Sequence, residues 1–301
     1  MTSSTKPSTP EPSGKLRGLA TRTIVAVGLI AVIAVCLTWF HWGLVAVVAA
    51  LIVLAAHELN HAAELKGWHP AWQVAGFGGA ALILLEYGAN QPPIVNAGEA
   101  VLYAGLLPLT LLELGLTGCV VLILVALAWR LRRPTNGFLA DTAVTALMVA
   151  YLPLLASFVI AMLVSPHPVA QFVVFLACIA INDTGAYVMG SLLGKHKMTP
   201  HISPAKTWEG FAGGIVWAGV AGALLVLLVL GQPWWNGAVF GLVMGVCATL
   251  GDLVESAIKR DVGVKDMGKL LPGHGGAMDR VDSILFCAPI AWALLNFWIM
   301  A

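Results

Sequence analysis

The sequence predicts an all-α polytopic membrane protein with about nine transmembrane helices, a cytoplasmic N-terminus and an external C-terminus. Of its 301 residues, 59% are hydrophobic and only 10% are charged, whereas a soluble domain carries about 25% charged residues. Apolar stretches that are long enough to cross about 30 Å of hydrocarbon recur along the whole chain. These two observations exclude a soluble globular protein.

The apolar stretches define nine predicted spans, whose ends are approximate. In chain order they cover residues 22–40, 43–64, 71–88, 100–129, 139–163, 168–190, 209–231, 236–258 and 282–300. With this assignment all 16 Lys and Arg residues lie on one side of the membrane, in the N-terminal tail or in alternate connections. Because basic residues favour cytoplasmic connections, that side is predicted to be the cytoplasm.

The string HELNH, residues 57–61, lies near the cytoplasmic end of the second span and suggests a metal site. His57, Glu58 and His61 match H-E-x-x-H, which on a helix places two imidazoles on one face for zinc and a glutamate beside them as base. The pattern leaves open an intramembrane zinc metalloprotease. Such a short match also occurs by chance, and a third metal ligand would have to come from a distant span.

Acidic residues in or beside the predicted spans leave a transporter open as another class, because acids inside a membrane often relay ions. These residues are Glu58, Glu86, Glu113 and Asp141. The sequence shows no inverted pair of spans broken by Gly or Pro, which is the arrangement that would support transport.

Carboxylates and cations gather on the predicted cytoplasmic side between residues 251 and 283. One helical stripe, with spacing i, i+3, i+4 and i+7, contains Asp252, Glu255, Ser256 and Lys259. Acids at the end of a membrane helix are costly unless they face a cavity and find cations. Asp252 is therefore either a metal ligand or the ion-pair partner of Lys259.

A glycine-rich turn, residues 273–276, follows this stripe and precedes Asp279, Arg280 and Asp282. Glycines let backbone N–H groups approach an anion closely, and carboxylates hold Mg²⁺, which bridges phosphate oxygens. Together with the nearby Lys and Arg residues, the turn predicts a site for a metal-bound polyphosphate.

The run SAIKRDVGVKDMGKLLPGHGGAMDRVD, residues 256–282, resembles the signature of phosphatidate cytidylyltransferases, or CDP-diacylglycerol synthases. That pattern reads S-x-x-K-R, four residues, K-D, a short spacer, P-x-H-G-G, two residues, D-R-x-D, and every fixed position is filled. Residues 182–210 are similar to the same family in D-x-G-A-Y, G-K and S-P-x-K-T-x-E-G. The likeness is close over roughly residues 180–283.

The resemblance implies condensation of CTP with phosphatidic acid to give CDP-diacylglycerol and pyrophosphate, by attack of the lipid phosphate on the α-phosphorus of CTP. It assigns catalytic roles to Asp252, Lys259, Asp279 and His274, with His274 donating a hydrogen bond to the leaving pyrophosphate. Metal binding is expected from Asp252 and Asp279, with Asp183 as a third ligand. Substrate binding is expected from Ser203, Lys206, Ser256, Arg260, Lys265, Gly275, Gly276 and Arg280.

The resemblance further implies Mg²⁺ as cofactor, with a second cation such as K⁺ left open, and a homodimer. The expected partners are CTP and phosphatidic acid in the membrane, and no nucleic acid. The chain then divides into a disordered cytoplasmic tail, N-terminal transmembrane helices and a C-terminal transmembrane catalytic region, at residues 1–21, 22–165 and 166–301. The active site is expected on the cytoplasmic side of the plasma membrane, where a soluble nucleotide meets a lipid headgroup.

Overall fold

A computed structural model of the chain describes residues 28, 31–90, 110–268 and 275–300. The predicted tail, part of the first predicted span, the start of the fourth span and His274 lie outside these residues.

Helices make up nearly all of the described secondary structure. Their order is α1 (His41–Glu64), α2 (Gly79–Ala89), α3 (Leu111–Arg130), α4 (Phe138–Tyr151), α5 (Pro153–Leu163), α6 (Pro168–Leu193), α7 (Trp208–Val229), α8 (Trp234–Val262) and α9 (Met278–Leu294). Two π-helical segments, Val74–Gly78 and Leu295–Ile299, precede α2 and follow α9. Residues 31–39 are also helical.

This architecture confirms the predicted class of all-α polytopic membrane protein. Within the described residues, seven segments are long and apolar enough to cross a membrane, with α4 and α5 counted as one span, Phe138–Leu163. Pro153 stands at the first turn of α5 and interrupts that span because proline has no N–H to donate. The apolar helix Val74–Ala89 is shorter, so the number of nine spans stays a prediction.

A small antiparallel hairpin, β1 (Lys197–Thr199) and β2 (Ser203–Thr207), lies between α6 and α7. The sequence alone predicts only a cytoplasmic connection there. Thr207 ends the hairpin and caps α7, because its side-chain oxygen accepts a hydrogen bond from the Gly210 N–H at 3.1 Å. Arg260 Nε donates to the Ile202 carbonyl at 3.1 Å, which holds the hairpin against the end of α8.

Contacts between small residues hold the C-terminal helices together. At the α7–α8 interface Gly222 lies against Gly237, and Gly241 lies against the carbonyl of Ala218, so a Cβ at any of these glycines would collide with backbone. Small residues let membrane helices approach closely, and packing then drives their association. Gly251 of α8 packs closely on α9 in the same way. The first turns of α9 therefore lie beside the last turns of α8.

A buried ion pair fixes the connection between α3 and α4. Arg130 Nε donates to Asp141 Oδ2 at 2.8 Å, and its two other nitrogens donate to the carbonyls of Pro134 and Asn136 at 2.7 Å each. Asp141 Oδ1 also accepts the backbone N–H of His69 at 2.6 Å. Asp141 thus joins three segments, which gives this buried acid a structural role.

The other acids behind the transporter alternative also have local partners. Glu113 forms a capping box with Thr110 at the start of α3. Glu86 accepts a hydrogen bond from Ser157 Oγ at 2.8 Å, and Glu58 binds backbone N–H groups of α9. These contacts give each of these acids a partner within the protein, although Glu86 Oε2 has no hydrogen-bond partner among the described residues.

Candidate active site

Residues of two polar stretches, 182–210 (the first cluster) and 251–283 (the second cluster), meet where α6, α8 and α9 converge. A cavity of about 300 Å³, here called the acidic cavity, is lined by Asp183, Asp252, Glu255, Lys259, Asp266, Gly275, Asp279, Arg280, Asp282 and Ser283. Asp183 comes from the first cluster, and all the other lining residues come from the second. The helix packing therefore brings residues far apart in the chain into one cavity.

Three carboxylates form a close group in this cavity. One oxygen each of Asp252, Glu255 and Asp282 lie within 4.8 Å of one another, the only such group of potential metal ligands in the described part of the chain. Glu255 and Asp282 are buried, and Glu255 Oε1 has no hydrogen-bond partner among the described residues. Because Mg²⁺ and Ca²⁺ prefer oxygen ligands, this group suits a divalent cation.

Lys259 lies between two carboxylates at the edge of this group. Its Nζ contacts Glu255 Oε2 and lies 2.8 Å from Asp279 Oδ1. The other oxygen of Asp279 accepts the backbone N–H groups of Gly276 at 2.8 Å and Met267 at 3.2 Å. Asp279 thus holds Lys259 and the glycine-rich turn together, and its assignment as a metal ligand stays a prediction.

Asp252 pairs with a different cation from the one that helix spacing suggests. Lys206 Nζ, from β2, lies 2.7 Å from Asp252 Oδ2 and donates to the Thr249 carbonyl at 3.2 Å. Ser256 Oγ donates to Asp252 Oδ1 at 3.3 Å. The alternative of an Asp252–Lys259 ion pair is therefore wrong, because Lys259 turns toward Glu255 and Asp279.

A second cavity of about 430 Å³, here called the hairpin cleft, opens between the hairpin and helices α6, α7 and α8. Its walls include apolar side chains of Ala186, Met198 and Phe211. Asp183 and Asp252 line both this cleft and the acidic cavity. The two cavities therefore meet at these carboxylates, so a ligand in one can reach a ligand in the other.

Of the remaining predicted substrate-binding residues, three line the cavities, whereas Lys265 and Arg260 do not. Ser203 lines the hairpin cleft, and Gly275 and Arg280 line the acidic cavity. Lys265 is exposed in the connection after α8, and Arg260 contacts the hairpin through Ile202. Gly275 has φ +82, a left-handed conformation that favours glycine, so the turn requires glycine there.

Among the described residues, the HELNH string is not part of a group of three potential metal ligands. His57 is exposed and packs edge-on against Trp72, with ring centroids 5.1 Å apart. His61 is exposed near Glu64, at 3.8 Å. Glu58 points elsewhere, because its two oxygens accept backbone N–H groups at the start of α9. The metalloprotease alternative is therefore without support.

Comparisons with known proteins agree with this geometry. A profile of the cytidylyltransferase family matches residues 20–298. The chain belongs to the cytidylyltransferase family. A Mycobacterium bovis relative named phosphatidate cytidylyltransferase is 37% identical over 267 residues, which cover 84% of this chain and 80% of the relative.

Other family members match shorter parts of the chain at higher identity. A Mycobacterium leprae relative named phosphatidate cytidylyltransferase is 47% identical over 165 residues, 54% of this chain and 52% of that protein. A Bacillus subtilis relative of the same name is 50% identical over 125 residues, 40% of this chain and 46% of that protein. These matches confirm the family resemblance drawn from the motifs.

The family motif predicts Asp252, Asp279 and Asp183 as the metal ligands, whereas the structure groups Asp252 with Glu255 and Asp282. A signal was present, since Asp252 and Glu255 are three residues apart on α8, and Asp279 and Asp282 are three apart on α9. Residues at i and i+3 share a helix face. Glu58 had no such signal, because its partners lie 219 and 220 residues away.

Proposed function

We propose that this protein transfers the cytidylyl group of CTP to phosphatidic acid, forming CDP-diacylglycerol and releasing pyrophosphate. The observation that carries the proposal is the acidic cavity, in which a three-carboxylate group lies beside Lys259 and Arg280 in a chain of the cytidylyltransferase family. The names of the relatives support phosphatidic acid as the acceptor.

The reaction needs positioning more than it needs a protein nucleophile. An oxygen of the lipid phosphate attacks the α-phosphorus of CTP, and the bond from that phosphorus to the oxygen leading to the β-phosphate breaks. The lipid phosphate is already ionised, so no side chain has to remove a proton from it. Catalysis then depends on alignment of the two substrates and on neutralisation of their phosphate charges.

The three-carboxylate group fits Mg²⁺, and we assign Asp252, Glu255 and Asp282 as the residues that would hold it. The unpartnered oxygen of Glu255 supports this choice, because a buried carboxylate oxygen without a donor is costly. Mg²⁺ held by these residues would offset the negative charge of the substrate phosphates. Asp183 and Asp279 as further ligands, and K⁺ as a second cation, stay predictions.

The cations around the two cavities would bind the phosphates of CTP and of the lipid. Asp279 and Glu255 hold the ammonium group of Lys259 at the acidic cavity, and Asp252 holds that of Lys206 at the hairpin cleft. We assign phosphate binding also to three further cations, Arg260, Lys265 and Arg280. His274 is assigned to donate a hydrogen bond to the leaving pyrophosphate.

Contacts between distant connections support a site on the cytoplasmic side. Lys66, after α1, lies 3.4 Å from Asp261 at the end of α8. Arg133, after α3, donates to the carbonyl of His69 at 3.3 Å. Connections rich in Lys and Arg therefore lie at one end of the bundle, and such connections favour the cytoplasm. A plasma-membrane location and a homodimer rest on the family resemblance.

The direct test uses purified protein with CTP, Mg²⁺ and phosphatidic acid in mixed micelles. We expect CDP-diacylglycerol and pyrophosphate in equal amounts, and no cleavage of a peptide in the presence of zinc. Folded protein that forms no CDP-diacylglycerol over a range of lipid and Mg²⁺ concentrations would overturn the proposal.

Variants of the acidic cavity make the test specific. Asp252→Asn and Asp279→Asn should each abolish turnover in a folded protein, and the double variant should be scarcely worse than either single one, as expected for residues that act as a unit. Asp261→Asn is the matched control, because it makes the same change on α8 at an exposed site. If Asp252→Asn leaves the enzyme active with an unchanged dependence on Mg²⁺, Asp252 is not a metal ligand.

A further inference from the structure

Glu58, which the proposed reaction does not use, is buried against the start of α9. Its Oε1 accepts the backbone N–H of Ala277 at 2.9 Å, and its Oε2 accepts that of Met278 at 3.0 Å. Glu58 belongs to α1, in the N-terminal half of the chain. One side chain of the HELNH string therefore joins that half to the helix that carries Asp279 and Asp282.

These hydrogen bonds fall on groups that a helix cannot satisfy by itself. The first N–H groups of a helix have no acceptor within it, and a carboxylate there is favoured by the helix dipole. Asp279 accepts the preceding N–H, that of Gly276, at 2.8 Å. Three consecutive N–H groups are thus bound to carboxylates of the protein. These three N–H groups are therefore not free to bind a substrate phosphate.

Glu58 also fixes the path of the chain on both sides of residues 269–274. A Cβ at Gly276 would lie 2.6 Å from Cδ of Glu58, and a Cβ at Gly268 would lie 2.5 Å from the same atom. Real Cβ atoms do not approach other atoms so closely, so either substitution must displace the Glu58 carboxylate. Glycine at these two positions therefore lets the chain close around Glu58.

We propose that Glu58 is a positioning residue for cytidylyl transfer, an inference that rests on the proposed function. Glu58 holds the first turn of α9 in register with α8. In that register Asp279 reaches Lys259 at 2.8 Å, and Asp282 joins Glu255 in the three-carboxylate group. Without Glu58, the N–H groups of Ala277 and Met278 lose their acceptors and the turn shifts.

The test is a double-mutant cycle between Glu58→Ala and Gly268→Ala, measured as kcat for CDP-diacylglycerol per folded enzyme. Each substitution alone should lower kcat about tenfold or more, because buried N–H groups lose a charged acceptor or the acceptor is displaced. The double variant should be no worse than Glu58→Ala, since the added methyl group no longer meets a carboxylate. Glu58→Gln, which keeps one acceptor oxygen, should lie between wild type and Glu58→Ala.

Two further measurements separate positioning from general destabilisation. The Mg²⁺ concentration for half-maximal activity should rise in Glu58→Ala, because Asp282 moves relative to Glu255. Hydrogen exchange at the amides of Ala277 and Met278 should become faster. Glu64→Ala is the matched control on α1, since Glu64 contacts Asn60 and His61 instead, and it should change neither quantity.

Hydrogen exchange needs no turnover, so it distinguishes this inference from the reaction itself. If the wild-type protein is inactive but Glu58→Ala still speeds hydrogen exchange at Ala277 and Met278, the proposed reaction is rejected. The positioning role of Glu58 in that reaction is then rejected with it. In an active enzyme, a wild-type kcat for Glu58→Ala, additive losses in the cycle or unchanged exchange would each overturn the positioning role.

Discussion

Asp282→Asn should have opposite effects on stability in the absence and in the presence of Mg²⁺. Asp282 and Glu255 are buried, and their carboxylate oxygens lie within 4.8 Å of each other. Two full negative charges 4.8 Å apart would repel by about 3.5 kcal/mol at an effective dielectric constant of ~20, and Lys259, which contacts Glu255, offsets part of this repulsion. Asparagine keeps the shape and an oxygen for the Ser283 N–H, which Asp282 accepts at 2.7 Å. The substitution therefore removes the charge and little else.

The assay is thermal unfolding in detergent, with a chelator and with Mg²⁺. In chelator the Asp282→Asn protein should melt several degrees higher than wild type, because 1 kcal/mol corresponds to roughly 2–4 °C in a protein of 150–250 residues. Mg²⁺ should raise the melting temperature of wild type much more than that of the variant, since binding to the folded state stabilises it. Formation of CDP-diacylglycerol should fall at least about a hundredfold, as expected when a charged ligand is lost.

The matched control is Asp261→Asn, which removes one charge from an exposed pair with Lys66. Exposed pairs contribute about 0–1 kcal/mol, so its melting temperature and its response to Mg²⁺ should stay close to wild type. An Asp282→Asn protein that melts lower in chelator and keeps the full Mg²⁺ response would refute the reasoning, because the carboxylates would then neither repel nor bind the metal.

The remaining predictions concern the HELNH string, the buried ion pair and the topology. His57→Ala with His61→Ala should keep activity within about tenfold of wild type, because both imidazoles are exposed; a thousandfold loss that zinc restores would contradict this. Arg130→Met should lower the free energy of unfolding by about 3–5 kcal/mol, since Asp141 stays buried without its cation. The kcat per folded enzyme should be unchanged, and an unaltered melting temperature would contradict the predicted loss of stability. Cysteines placed at residues 92 and 233 should be labelled from outside and one at 198 only from the cytoplasm; external labelling of 198 would end the nine-span topology.

The sequence by itself determined the class of protein, the family and the residues that share a helix face. Membrane spanning depends on local composition, so long apolar stretches were sufficient to predict an all-α membrane protein. The gapped motif of residues 256–282 was sufficient to indicate the family that the profile confirms. Helical periodicity placed Asp252 and Glu255 on one face, and the structure finds their oxygens in one group.

The tertiary structure decided which side chains are partners across different elements. Asp252 pairs with Lys206 of the hairpin, a residue 46 positions earlier in the numbering, instead of with the Lys259 on its own helix. Among the described residues, Asp282 and not Asp279 completes the three-carboxylate group. Both residues lie near the start of α9, so only the rotation of α9 against α8 distinguishes them.

The role of Glu58 shows the physical reason most clearly. Its H-E-x-x-H pattern is a local feature of α1 and predicts only that neighbouring side chains could share a ligand. Its actual partners are backbone N–H groups 219 and 220 residues away. Helical periodicity fixes the direction of a side chain on its own helix, whereas its partner depends on how closely helices approach. That approach is set by three-dimensional packing, as at Gly251 between α8 and α9, and Gly268 and Gly276 leave room for the Glu58 carboxylate.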